Sequence, residues 1–164
     1  DINLSLTKSG DKSIALKVSD STSSVNYMLT DTSIINEPPT LKSIPEFELD
    51  IDVTPQFINK FIAGKGALGE TDNFTILTNG TGVKVVIGYS SVNTNRVTIP
   101  VTTSKVSDID NVSFNANIFK EVLHANKECE SATLEVSSEG LSRITFKVDD
   151  YTSTYYLVAV QDVD

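Results

Sequence analysis

Tryptophan is absent from this chain of 164 residues, and cysteine, methionine and histidine occur once each. A lone cysteine, Cys129, excludes an internal disulfide and points to a reducing compartment. A cysteine without partners reads as a small core residue rather than a nucleophile. With one histidine, no glycine-rich phosphate loop and no serine-elbow motif, the chain offers no catalytic set, no metal site and no cofactor site. No apolar run approaches the ~20 residues that span a bilayer, so no membrane association is expected. No signal peptide precedes Asp1, so a cytoplasmic location is expected. Basic residues are also scarce: 13 Lys and Arg face 22 Asp and Glu, a net charge of −9. That balance excludes a surface coated all over with nucleic acid but leaves local contact open, because binding depends on where the cations sit.

What is present is Ser, Thr, Val, Ile and Asn, a composition of strands and turns, with 39% hydrophobic residues, enough for one large or two small cores. One pattern runs through it twice. "EFELDIDV" (46–53) alternates apolar and acidic residues and predicts a half-buried strand. "TPQFINKFIAGKG" then predicts a helix with Thr54 as cap, Pro55 in the first turn, a stripe of Phe57, Ile58, Phe61 and Ile62, and Gly64 and Gly66 as its end. Three strands follow, "NFTILTN", "VKVVIGYS" and "RVTIPV", with turns at Asn79–Gly82 and Ser91–Asn95. From residue 112 the order repeats. "VSFNA" is a strand, "NIFKEVLHANKECE" a helix capped by Asn117, and "ATLEVS", "RITFKVD" and "TYYLVAVQ" are strands. The apolar quartet Ile118, Phe119, Val122 and Leu123 lies 61 positions after its counterpart, and Gly140 lies 58 after Gly82.

A further copy is incomplete. Slid by 130 positions, residues 10–23 agree with 140–153 at seven of fourteen places. "INLSLTK" matches "ATLEVSS", and "VNYMLTD" matches "YYLVAVQ". Residues 1–31 therefore read as three closing strands whose opening strand and helix are missing. Residues 32–45, "TSIINEPPTLKSIP", hold three prolines and no clean period, and read as a connector lying on a surface. A helix with a three-strand meander cannot bury its stripe alone, so the units pair with their helices on one face of joined sheets.

This organisation, and "FNANIFKEVLHANKECESATLEVSSEG" (114–140) most of all, resembles the DNA sliding clamps, the processivity factors of DNA polymerases. The likeness is nearest to the two-domain clamps of large tailed bacteriophages. It implies an α+β, DNA-clamp-like fold of repeated β-α-β-β-β units with helices on one face of antiparallel sheets. It also implies a first domain cut short to residues 1–31, an interdomain connector at 32–45, and a complete clamp domain at 46–164 with units 46–103 and 110–164. A non-enzymatic subunit would follow, encircling double-stranded DNA without reading sequence and tethering the replicative polymerase, with DNA polymerase and clamp loader as its protein partners. The full-length protein would be a homotrimeric ring, in the host cytoplasm if phage-encoded. The rival is a β-rich virion or surface module without DNA binding, which would bury or scatter the helix lysines.

Two sets of site residues follow from the resemblance. With 100° per residue, Lys120, His124 and Lys127 fall within about 60° of one another, opposite the apolar quartet. Lys60 and Lys65 are the cations of the first helix, and together these five are expected to face DNA. Sliding requires few contacts, about three to five per subunit, to phosphates alone. Ile34, Ile35, Leu41, Ile44, Val158 and Val160 are expected to line a groove for tail peptides of partner proteins. The acidic pairs read as structure: Asp149-Asp150 as a turn and Asp50/Asp52 as the outer face of a strand. "DIDN" (108–111) lacks the glycine and glutamate of a calcium loop.

Overall fold

The computed structural model describes all residues except 38, 39, 81, 91, 93, 94 and 161–164. Parts of the turns expected at 79–82 and 91–95, the two central prolines of the connector, and Gln161 of the expected last strand lie outside the described residues. The chain divides into two compact units, 1–43 and 44–164.

The smaller unit is an antiparallel meander of β1 (Asn3–Ser9), β2 (Lys12–Ser19) and β3 (Ser24–Met28). Gly10, at φ +59°, makes the tight turn between β1 and β2, a backbone state that side-chain-bearing residues rarely adopt. Asp20 turns the chain into β3 by accepting the N–H groups of Thr22 and Ser23 at 2.7 and 2.8 Å, which holds its carboxyl below the ordinary range. Thr32–Ile34 form one 3-10 turn, capped by Asp31, which also meets Lys12 at 3.0 Å.

The larger unit holds β4 (Leu49–Asp52), α1 (Pro55–Ala67), β5 (Asn73–Thr78), β6 (Val83–Ile87), β7 (Val97–Val101), β8 (Thr103–Lys105), β9 (Val112–Asn115), α2 (Ala116–Ala125), β10 (Ser131–Val136), β11 (Leu141–Val148) and β12 (Tyr151–Val158). This is the predicted α+β architecture, β-α-β-β-β twice over, with β8 as an added edge strand. The sheets run β12-β11-β10-β4-β8 and β7-β6-β5-β9. Each repeat thus lends its opening strand to the meander of the other. Ile51 pairs with Leu134 and Phe114 with Phe74, both antiparallel. The exchange covers an edge that each meander would otherwise expose. The two joints are equivalent: Asp52 N–H donates to Thr102 O at 2.9 Å, and Val160 N–H to Ser113 O at 2.8 Å. Residues 52 and 113 are 61 apart and 102 and 160 are 58 apart, the two spacings found in the sequence.

One core joins both repeats. Phe61, Phe74, Phe114 and Phe119 are fully buried, with Phe119 at 4.7 Å from the Phe74 ring and 4.9 Å from Phe61. Such burial is worth about 1.5–3 kcal/mol per side chain. The alternation of β4, β10 and β11 puts Leu49, Ile51, Leu134, Ile144 and Phe146 inward and leaves Asp50, Asp52, Glu135 and Arg143 outward. Asp149, at φ +48°, and Asp150 form the expected β11–β12 turn.

Three expectations about the helices are corrected. Gly64 and Gly66 do not end α1, which runs on to Ala67. Neither takes a positive φ. Gly64 serves close packing instead, since a Cβ there would come within 2.9 Å of Val97 Cγ1. Asn115, not Asn117, caps α2, accepting Ile118 N–H at 2.9 Å. Asn117 lies inside the first turn and donates to Asp72 Oδ1 at 3.1 Å. The helix also stops at Ala125, and Ile118 is exposed, so the buried stripe is Ala116, Phe119 and Leu123.

Candidate nucleic-acid interface

The two helices pack side by side through Phe57, Phe61 and Phe119, with Phe57 and Phe119 centroids 6.5 Å apart. Their starts are set locally. Thr54 Oγ1 accepts Phe57 N–H at 3.2 Å in front of Pro55, whose missing N–H would have been unpaired in any case. At α2, Asp72 takes Ala116 N–H on its carbonyl at 2.7 Å as well as Asn117 on its carboxylate. With the apolar stripes turned inward, α1 exposes Gln56, Asn59, Lys60, Ala63 and Gly66, and α2 exposes Asn117, Ile118, Glu121 and His124.

The predicted cations have different fates. Lys60 is exposed on α1. Lys120 is half-buried on α2, its ammonium 3.9 Å from Glu121. His124 is exposed in the last turn of α2, and Lys127 is exposed beyond the Asn126 cap, off the helix on which it was placed. Lys65 is withdrawn. It is 4% exposed, and its ammonium donates to Gly69 O at 2.9 Å and Leu68 O at 3.4 Å. A cation beside the last carbonyls of a helix is where the macrodipole favours it, so Lys65 closes α1 instead of facing outward. The two helices carry Lys60, Lys65 and Lys120 against Glu121, a sum of +2, while the chain totals −9 and the remainder is therefore −11. With Lys65 turned inward, the outer side of the helix pair carries Lys60 and Lys120 against Glu121, beside amides, small side chains and the exposed Ile118. It can hold a polyanion by a few weak contacts.

Ile34, Ile35 and Leu41 of the smaller unit are exposed, as are Ile44, Val158 and Val160 of the larger. Val160 is tied through its backbone to β9.

A charged cluster on the outer sheet face was not expected. Arg143 on β11 grips Glu135 on β10 with two bonds, at 2.5 and 2.6 Å, and its guanidinium lies 4.7 Å over the ring of Phe47. Lys105 donates to Phe47 O. Glu48 accepts the N–H and hydroxyl of Ser138, which lowers its carboxyl's pKa. Burial and the neighbouring Glu135 raise Asp50, partly offset by Lys105 and Arg143. The alternation that placed Arg143 outward was visible in the sequence; the seat of Phe47 against it was not. Asp108 Oδ1, within the "DIDN" segment, accepts Gly80 N–H at 3.2 Å and so ties two loops together.

No protein-family model and no curated protein sequence matches the chain. Among solved structures it is similar to the proliferating cellular nuclear antigen of Entamoeba histolytica, with a TM-score of 0.68 at 18% identity. The likeness covers 98% of this chain and 65% of that chain. The chain therefore has the DNA sliding-clamp fold: mixed α+β, helices paired over antiparallel sheets. Among the described residues, no helix is long and apolar enough to cross a membrane.

Proposed function

We propose that the chain is a non-enzymatic sliding-clamp subunit that encircles duplex DNA and holds a replicative polymerase on its template. The observation that carries this reading is the adjacent pair α1 and α2, mildly cationic outside, on a fold shared with a proliferating cellular nuclear antigen. In this reading residues 1–31 close a preceding clamp domain, 32–45 cross between domains, and units 46–103 and 110–164 form a clamp domain. Lys60, Lys120 and Lys127, with His124 beside them, contact phosphates without reading bases. Ile34, Ile35, Leu41, Ile44, Val158 and Val160 receive apolar anchors of polymerase and clamp-loader tails. The assembled form is a homotrimeric ring of the kind expected for a tailed phage.

Encirclement separates this function from ordinary DNA affinity. The full-length protein is incubated, together with its clamp loader, with nicked circular duplex and with the same DNA cut once, then gel-filtered at moderate salt. Retention on circles and release from the linear form, weakened by Lys60→Glu with Lys120→Glu, is the expected result. Equal loss from both DNAs, or a marked preference among sequences, overturns the reading.

A further inference from the structure

The helices α1 and α2 place opposite charges at the same point of the repeat. The spacing of 61 that aligns Phe57, Ile58, Phe61 and Ile62 with Ile118, Phe119, Val122 and Leu123 also sets Lys60 against Glu121. Both residues are exposed. At 100° per residue, Glu121 lies within about 15° of the direction opposite the buried stripe of Ala116, Phe119 and Leu123. No other residue of α2 points so directly away from the core. Lys120 stands about 65° from that stripe, and its side chain is 36% exposed against 73% for Glu121. The foremost group on the outer side of α2 is therefore a carboxylate, on a face whose cations are Lys60 and Lys120.

A carboxylate at that place opposes phosphate contact. Among the described residues its charged partner is Lys120, with 3.9 Å between ammonium and carboxylate. Successive helix positions do not face each other, so this approach is made by the flexible ends of two long side chains. An ion pair this exposed is weak, and a phosphate can take the ammonium from it and give it back. We infer that Glu121 is a positioning residue of the DNA face that limits its grip. It competes with phosphate for the Lys120 ammonium, so the duplex is held by Lys60 in full and by Lys120 in part. The inference rests on the DNA-facing role of α1 and α2 proposed above. To that role it adds a built-in counter-charge, which keeps each phosphate contact short-lived while the duplex moves past.

The test measures binding of the full chain to a short labelled linear duplex, which needs no loading, by fluorescence anisotropy across a salt series. Glu121→Gln keeps the shape of the side chain and removes its charge. It is expected to raise the association constant about threefold to fivefold at low salt. The salt slope should steepen by up to about 0.9, one further phosphate neutralised. The unfolding midpoint stays in place, as for other exposed substitutions away from caps and core. In a Lys120→Met background the same change leaves the slope where it was, since no ammonium remains to be freed. Binding that Lys60→Glu weakens and Glu121→Gln leaves unaltered overturns the inference while the DNA-facing role stands. A slope gain of equal size with and without Lys120 overturns it too, because the carboxylate then acts on the duplex directly. Duplex binding insensitive to Lys60→Glu and Lys120→Met alike removes the DNA-facing role itself, and the inference with it.

Discussion

Two lysines five residues apart on α1 make opposite predictions. Lys65 is buried and gives its ammonium to Gly69 O and Leu68 O, whereas Lys60 is exposed. Lys65→Met keeps the aliphatic stem and removes the donor. Hydrogen bonds to a charged group contribute about 1.5–3 kcal/mol net. The 3.4 Å bond to Leu68 is long, so the lower part of that range applies, about 2 kcal/mol. With a guanidinium slope of about 4 kcal/mol/M for a unit of this size, the unfolding midpoint falls by roughly 0.5 M. Duplex binding stays as it was. Lys60→Glu behaves in reverse: its midpoint holds within about 0.5 kcal/mol, and the salt slope of DNA binding shrinks by about 0.9 for each phosphate that is no longer neutralised. Denaturation followed by intrinsic tyrosine fluorescence and a salt-titrated anisotropy assay measure both. A Lys65→Met protein with an unshifted midpoint and a reduced salt slope would refute the inward placement of that side chain, and with it the role of its ammonium in closing α1.

Other expectations concern the outer sheet face and one turn. Arg143→Lys retains the charge but not the two-pronged grip on Glu135, and should cost about 1 kcal/mol in chemical denaturation. An unchanged midpoint would mean that charge alone matters there. Asp50 has a raised pKa in the folded protein, so it binds its proton more tightly folded than unfolded, and stability falls as pH rises from the unfolded value through the folded one. Asp50→Asn should therefore stabilise at neutral pH, with the gain disappearing in acid below about pH 3.8; a gain that persists in acid would exclude titration as its cause. Glu48, with its pKa lowered by Ser138, works in the opposite direction: Glu48→Gln should destabilise at neutral pH and lose that effect as pH falls. Gly88 sits at φ +79°, and a Cβ there would lie 2.6 Å from Asn95 O, so Gly88→Ala should cost about 2 kcal/mol or more. A neutral effect would show that the β6–β7 connection can yield.

Local chemistry alone determined much of this molecule. Thr54 before Pro55, the alternation of 46–53 and the paired aspartates at 149 and 150 each act within a few residues, so cap, strand and turn could be read directly. The duplication was equally legible, because spacings of 61 and 58 survive as bonded joints at Asp52 and Val160. Other features needed the third dimension. Gly64 resembles a helix stop in isolation, but Val97 occupies the space beside it and the helix continues. Lys65 reads as a surface cation until its ammonium is seen to close the end of α1, and Ile118 reads as core until the cap at Asn115 is known. The exchange of β4 and β9 between meanders was decided only by tertiary structure. Period and propensity state which face of a strand is apolar, but they carry no information about which distant edge that strand will join.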